Sequence, residues 1–126
     1  MTENELSHVV IGAAIEVHRQ LGGPGLLEAI CEEALCYELA SNAVAIRRQV
    51  GIPLRYKGQQ LKKRLVLDVL VENRVIVECK AVEQYNPLFT AQLLTYLRLS
   101  DKRLGLVINF GEACAKDGVH RVVNNL

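Results

Sequence analysis

The stretch 65-LVLDVLVENRVIVECK-80 contains two apolar segments that are each interrupted by charged residues. Side chains of a β-strand alternate between its two faces, so Glu78 and Lys80 project from the same face of the second segment. Burying an unpaired charge is expensive, and such groups are normally paired, bound to a metal or exposed. The two charges therefore raise the question of what they face.

The connection between the two segments decides whether Asp68 lies on that face as well. The segments are close enough to form an antiparallel hairpin, in which cross-strand partners share a face. A two-residue turn at residues 73–74 would place Asp68 beside Cys79, whereas an odd connection such as residues 72–74 would place it opposite Glu78. Asparagine readily adopts the left-handed conformation of three-residue hairpin loops. We therefore predict the odd connection, or an equivalent bulge.

Two carboxylates that face each other across a hairpin repel unless a positive charge lies between them. Carboxylate oxygens suit Mg²⁺ or Mn²⁺, which keep several water ligands. Lys80 would lie beside such an ion, where it could orient a water molecule and stabilise charge on a phosphate. The alternative from spacing alone is an Asp–Lys or Glu–Lys pair that satisfies itself at a strand edge.

The whole chain predicts one α/β domain over residues 1–126, with elements in the order α-α-β-β-β-α-β-(β). Helices are predicted over residues 3–21, 25–41 and 87–100, and strands over residues 44–56, 61–72, 75–82, 104–110 and 119–123. Residues 22–25, GGPG, predict a turn between two helices. The result is a mixed central sheet of about four to five strands flanked by helices.

Several details of these elements are also predicted. Gly51 and Pro53 indicate that the first strand is bent or lies at an edge. Thr2 and Glu5 fit a capping box for the first helix. The second helix is expected to bury Leu27, Ile30, Ala34 and Leu35, with Leu39 at the edge of the stripe. The third helix is expected to direct Leu88, Ala91, Leu94 and Leu97 inward.

Composition excludes several classes of protein. Half of the residues are hydrophobic and 23% are charged, which is typical of a soluble globular protein. No apolar run approaches the ~20 residues needed to cross a bilayer. The start of the chain lacks a signal-peptide pattern, so we expect a cytoplasmic protein. The four cysteines form no zinc-binding spacing, and we expect them to be small buried hydrophobic residues.

Basic residues are unevenly distributed although the formal net charge is only +1. No acidic residue occurs between Ala40 and Leu67. That segment carries Arg47, Arg48, Arg55, Lys57, Lys62, Lys63 and Arg64. Such a basic face could follow the phosphates of a nucleic acid, or these residues could be the solvated faces of strands.

The combination of Asp68, Glu78-Cys79-Lys80 and a following helix that carries Gln92 resembles the active-site signature of the PD-(D/E)xK nuclease superfamily. The resemblance implies a restriction-endonuclease-like core. The chain is more closely similar to the small GxxExxY proteins within that superfamily. The matching segments are 22-GGPGLLEAICEEAL-35, 65-LVLDVLVENRVIVECKAVE-83, 91-AQLLTYLRL-99, 104-LGLVINFG-111 and 117-DGVHRVVN-124. The chain departs from the family pattern at Cys31, where the family has tyrosine, and at Leu67, where the superfamily has proline.

The resemblance implies roles for the hairpin residues. Asp68 and Glu78 would bind a divalent metal, Mg²⁺ or Mn²⁺, together with the backbone carbonyl of Cys79. Lys80 would act on the water or on the scissile phosphate. Together these residues would form the catalytic centre of a phosphodiester hydrolase.

The resemblance also implies roles for helical residues. Glu28 would complete the acidic cluster, with Glu32, one turn further on, as the alternative candidate. Either acid could instead be a solvated or capping charge, and for Glu32 we expect this alternative. Gln92 would position the substrate or water, or it could bond a neighbouring backbone group. Tyr96 could stack on a base or sugar, but core packing is the expected role.

The implied function is a metal-dependent nuclease that acts on nucleic acid, with DNA as the expected substrate. The alternative is a non-catalytic nucleic-acid-binding or assembly module that retains the fold, which the modest net charge and small size would suit. A homodimer would place two sites on one substrate under either hypothesis.

Overall fold

The computed structural model describes residues 1–23 and 25–126, so Pro24 of the predicted interhelical turn lies outside the described residues. The elements in chain order are α1 (Glu3–Leu21), α2 (Glu28–Ser41), β1 (Ile46–Tyr56), β2 (Gln59–Val71), β3 (Val75–Lys80), α3 (Pro87–Ser100), β4 (Leu104–Asn109), a 3₁₀ helix (Ala115–Gly118) and β5 (Val119–Val123). This is the predicted order. The main difference is that α2 begins three residues later than expected.

The five strands form one sheet in the order β1-β2-β3-β4-β5. The strands β3 and β4 run parallel, because α3 connects them as a crossover, and the other neighbouring pairs are antiparallel. All six residues of β4 are buried, as expected for a strand that is covered on both faces. The mixed five-stranded sheet with flanking helices confirms the predicted α+β fold class.

The helices lie on opposite faces of the sheet and create two cores. On one face, α1 and α2 pack through residues such as Leu6, Leu35 and Leu39 against the sheet. On the other face, α3 packs through Leu93 and Leu97. The capping box of α1 is present as predicted, since Thr2 and Glu5 exchange side-chain to backbone hydrogen bonds.

The predicted buried stripe of α2 is wrong by about one position around the helix. Leu27 and Ile30 are exposed, whereas Cys31, Leu35 and Leu39 have no exposed surface. Leu27 is the N-cap residue and precedes the helix, so the stripe cannot start there. The small Cys31 and Cys36 side chains occupy the packed face instead. Cys114 is exposed, contrary to the expectation that all four cysteines are buried.

The inward face predicted for α3 is partly wrong. Leu88 and Ala91 are exposed, and Leu93 is buried together with Leu97. Gly105 of β4 explains the position of Leu93, because a Cβ atom at Gly105 would lie only 2.9 Å from both methyl carbons of that leucine. The helix therefore approaches the sheet through Leu93.

The connection between β2 and β3 has the predicted odd length. Residues 72–74 form the loop, and Glu72 and Asn73 adopt left-handed φ values of 50° and 56°. The strands pair Val71 with Val75 and Val69 with Val77. Continuing this register places residue 68 opposite residue 78. The prediction that Asp68 lies opposite Glu78 is confirmed.

The first strand lies at the edge of the sheet and is irregular, as predicted. The register between β1 and β2 shifts between Pro53 and Arg55. Beyond this bulge the two strands pair only with each other and end in a turn, where Lys57 and Gly58 have positive φ values. We call residues 53–64 the basic arm. In β2, the basic arm ends at Arg64, four residues before Asp68.

Candidate active site

The strands β2 and β3 separate next to Asp68 and Glu78, and we call this place the fork. Their pairing ends at Val69 and Val77, whereas β3 continues beside β4 as far as Lys80. Two side chains cross the fork. Glu78 Oε2 accepts a hydrogen bond from the Asp68 backbone N–H at 2.8 Å, and Asp68 Oδ2 accepts one from the Cys79 backbone N–H at 3.0 Å.

These two hydrogen bonds orient both carboxylates. Each bond ties one oxygen of an acid to the backbone beside the other acid. Among residues 1–23 and 25–126, no backbone group bonds the second oxygen of either carboxylate. The fork therefore presents two fixed carboxylates that each retain an oxygen for a ligand.

The fork is electrostatically unfavourable for two ionised acids. Glu78 is only 8% exposed. Burial and the neighbouring Asp68 carboxylate raise the pKa of Glu78 to about 8, although the Asp68 N–H and Lys80 act in the opposite direction. Burial also raises the pKa of Asp68, with a smaller contribution from Glu32. A cation at the fork would relieve this repulsion.

Lys80 ends β3 on the same side as the fork. Its ammonium lies 4.6 Å from the centroid of the Phe89 ring, which is within the range of a cation–π interaction. Within the described part of the chain, no ion pair joins Lys80 to Asp68 or Glu78. The self-satisfied charge pair considered above is therefore wrong, and the ammonium remains available to a third group.

The Asn109 side chain fixes the backbone segment that follows Lys80. This fully buried side chain accepts hydrogen bonds from the N–H groups of Val82 and Gly111 and donates one to the carbonyl of Val82, all within 3.0 Å. The Phe110 N–H also donates to the carbonyl of Lys80 at 2.7 Å. Sequence analysis did not identify Asn109. Its one signal is an amide within the otherwise apolar run 104-LGLVINF-110.

The two glutamates of α2 have different environments. Glu28, the first residue of the helix, is exposed. Partial desolvation raises the pKa of Glu28, Lys80 lowers it and Asp68 raises it, so the carboxylate is within electrostatic reach of the fork. Glu32 is 6% exposed and forms an ion pair with Arg48 at 2.9 Å. The expectation of a solvated Glu32 is wrong, because α2 packs this residue against β1.

The structure leaves Gln92 on the surface of α3. It is exposed and lies beside Leu88, Ala91 and Thr95, and in the ranges that the structure covers it has no hydrogen bond to the acids of the fork. Tyr96 packs against the α3-side core, as expected. Burial raises the pKa of the Tyr96 hydroxyl, and Glu78 and Asp68 raise it further, so this side chain also borders the fork.

The basic residues predicted to contact nucleic acid differ in their contacts within the protein. Arg48 is turned toward Glu32 and is engaged there. Arg55 donates to the carbonyl of Gly58, and the Lys57 ammonium lies 5.5 Å from the Tyr56 ring centroid. The other four basic residues are exposed: Arg47, Lys62, Lys63 and Arg64. Five of the seven basic residues belong to the basic arm, in which residues 55–64 are exposed throughout.

The described side chains do not form a preassembled metal centre with three or more ligands. Among residues 1–23 and 25–126, no group of three or more histidine, cysteine, aspartate or glutamate residues is arranged to hold a metal ion. An ion at the fork would need the two carboxylates, a backbone oxygen and water. Separately, none of the described helices has the length and apolar character that crossing a membrane requires.

Comparison with known proteins gives one match. A family model described as the PD-(D/E)XK nuclease superfamily matches residues 4–122. This range includes Asp68, Glu78 and Lys80 together with the helices that flank the sheet. No curated protein and no solved structure matches the chain.

Proposed function

The chain belongs to the PD-(D/E)XK nuclease superfamily, and from this premise we propose that it is a metal-dependent nuclease that hydrolyses phosphodiester bonds of DNA. The observation that carries the proposal is the fork. Asp68 and Glu78 are fixed there with one oxygen each to spare, and Lys80 follows on the same strand without an ion-pair partner among the described residues.

We assign the metal to Mg²⁺ or Mn²⁺. Asp68, Glu78 and the backbone carbonyl of Cys79 would hold it, and Glu28 would contribute through a water molecule. The fork suits such an ion because Mg²⁺ keeps most of its water and needs only one or two carboxylates. When bound, the ion supplies Lewis acidity toward water and phosphate.

Lys80 and the residues around it would handle the charge of the substrate. Its ammonium would neutralise negative charge that develops on the scissile phosphate and would help to orient the attacking water. The Phe89 ring supports this position from one side. Gln92, on the exposed face of α3, would contact the substrate next to the fork.

The basic arm would bind the phosphate backbone beside the site. Its five basic residues and the absence of acids between Ala40 and Leu67 make its charge complementary to a nucleic acid. Arg47 would add to this surface, whereas Arg48 would act indirectly through Glu32. Such contacts follow the backbone and carry little sequence information.

We further assign the chain to the GxxExxY proteins as a single domain over residues 1–126. The segment Gly25-x-x-Glu28-x-x-Cys31 supports the assignment, with the tyrosine position replaced by a buried cysteine. In support of one domain, a single sheet packs against both sets of helices.

A nuclease assay tests the proposal. Single-stranded, duplex and branched DNA and RNA are incubated with Mg²⁺ or Mn²⁺ and either wild-type protein, Asp68→Ala, Glu78→Ala or Lys80→Ala. We expect each substitution to reduce cleavage by about 100-fold or more, because Asp68 and Glu78 would hold the metal and Lys80 would neutralise charge on the scissile phosphate. Lys116→Ala, an exposed lysine outside the fork, is the matched control and should cleave normally.

Cleavage that persists in both Glu78→Ala and Lys80→Ala would contradict the proposal. Calorimetry with Mn²⁺ gives an independent measurement, in which Asp68→Ala should abolish binding. Metal binding that survives this substitution unchanged would remove the basis of the catalytic assignment.

The second candidate is a non-catalytic nucleic-acid-binding or assembly module. It is favoured by the formal net charge of only +1, which is modest for a protein that must hold a nucleic acid during cleavage. DNA binding that depends on Lys62 and Lys63 but occurs without metal binding or cleavage would support this alternative. Light scattering would show in the same preparation whether two copies associate, which would place two forks on one substrate.

A further inference from the structure

Gln49 has an unusual backbone at the position opposite the fork. Its φ value is 51°, in the left-handed region that residues other than glycine rarely adopt within a strand. The pairing of β1 with β2 joins Arg48 to Val69 and Val50 to Leu67 but omits Gln49, whose partner in this register would be Asp68.

The left-handed residue changes which face each strand presents. Val69 packs in the core beneath α1 and α2, whereas Val50 and Leu67 pack in the core beneath α3. Regular alternation would put Leu67 and Val69 on the same face. In both strands the regular alternation of side chains between the two faces of the sheet is therefore interrupted, at Gln49 in β1 and at Asp68 in β2. This interruption sets the direction in which the Gln49 side chain leaves its strand.

The side chain of Gln49 connects α2 to the fork. Its amide Nε2 donates to both carboxylate oxygens of Glu32, at 3.1 and 3.2 Å. The register of β1 with β2 places Gln49 opposite Asp68, so the residue that donates to Glu32 also neighbours that acid. Glu32 has its own counter-charge in Arg48.

We propose that Gln49 is a positioning residue of the fork, held in a left-handed conformation opposite Asp68 so that its amide, anchored on Glu32, orients the Asp68 carboxylate for a divalent cation. The inference rests on the proposed metal-dependent function. An amide suits this position because it donates hydrogen bonds to acids without adding a positive charge that would repel the ion.

Two substitutions separate the amide from the backbone. Gln49→Gly removes the amide and also relieves the left-handed conformation, whereas Gln49→Met removes the amide and keeps a side chain of similar length on a strained backbone. The two variants should therefore differ in melting temperature, with the glycine variant higher. A positioning role predicts that both lose Mn²⁺ affinity by a similar factor, about 10-fold, as for other residues that orient metal ligands.

Ala43→Gly is the matched control. Ala43 is exposed, has a φ value of 58° and lies outside the fork, so the glycine should raise the melting temperature and leave Mn²⁺ affinity unchanged. Mn²⁺ affinity is measured by calorimetry well below the melting transition of each variant, with Asp68→Ala as the reference for loss of the site.

The outcomes distinguish this inference from the proposed function. Equal losses of Mn²⁺ affinity in Gln49→Gly and Gln49→Met support the positioning role. Wild-type affinity in either variant, while Asp68→Ala does not bind, would overturn the positioning role and leave the metal site intact. No Mn²⁺ binding by the wild-type protein would overturn both.

Discussion

Glu32 and Glu78 are buried to nearly the same extent, at 6% and 8% exposure, but their surroundings differ. Glu32 accepts hydrogen bonds from Arg48 and Gln49, and the guanidinium neutralises its charge. Glu78 accepts one backbone hydrogen bond and faces the Asp68 carboxylate. Burial alone therefore does not mark the functional acid. The difference lies in whether the protein itself satisfies the charge.

The largest expected effect on stability concerns Glu78, whose charge no described basic residue neutralises directly. In a chelator-containing buffer, Glu78→Gln should stabilise the protein at pH 8 relative to wild type, and the two should be nearly equal near pH 4.5. The folded pKa of about 8 lies above the ordinary value of 4.5. The stability that the protonated Glu78 contributes is therefore complete below pH 4.5 and is lost as pH rises toward 8. The loss is about 4 kcal/mol in the free energy of unfolding.

Urea unfolding of both proteins between pH 4.5 and 8 measures this difference. The side-chain amide that Glu78→Gln introduces would still accept a hydrogen bond from the Asp68 N–H, so the comparison isolates the charge. If the difference in the free energy of unfolding between the two proteins does not change with pH, ionisation of Glu78 does not destabilise the folded protein.

Removing Arg48, which neutralises Glu32, should lower the free energy of unfolding. Arg48→Met leaves the Glu32 carboxylate buried without its counter-charge, although the amide of Gln49 remains. We expect a loss of about 2–3 kcal/mol in the free energy of unfolding at pH 7, somewhat less than for a fully buried pair because Arg48 is partly exposed. Arg47→Met, an exposed neighbour, is the control and should change stability little. Equal effects in both variants would contradict the distinction between the two glutamates.

Mg²⁺ should stabilise the folded protein only through the two carboxylates of the fork. Mg²⁺ at ten times its dissociation constant should raise the free energy of unfolding of the wild-type protein by about 1.4 kcal/mol. It should have no such effect on Glu78→Gln or Asp68→Ala, and Arg48→Met should still respond. Thermal unfolding with and without Mg²⁺ measures this. Stabilisation of Asp68→Ala by Mg²⁺ would place the ion elsewhere.

The smallest expected effect is that of Lys80 on stability. Lys80→Met should change the free energy of unfolding by less than about 1 kcal/mol, because its contact with the Phe89 ring is modest and partly replaced by the methionine side chain. Removing this positive charge should nevertheless raise the pKa of Glu78 further, since Lys80 now lowers it. An NMR titration of the Glu78 carboxyl group would detect the shift. An unchanged pKa would mean that Lys80 does not act on the fork.

Much of the fold and the centre of the candidate site could be predicted, because the signals are local. The capping residues of α1, the bounds of α3 and the odd loop before β3 each depend on a few adjacent residues. The loop length alone decides that residues 68 and 78 are opposite each other. The prediction that Glu32 is solvated failed because nothing within α2 indicates that Arg48 and Gln49 will cover it.

The amino-acid order by itself determined the element sequence, the parity of the hairpin and the spacing of Asp68, Glu78 and Lys80, since periodicity and turn chemistry act over a few residues. Only the tertiary structure decided which glutamate is neutralised, how α2 is rotated and where Gln49 and Asn109 point. These features depend on contacts between residues that are 16 to 27 positions apart, and packing sets them once the layers come together.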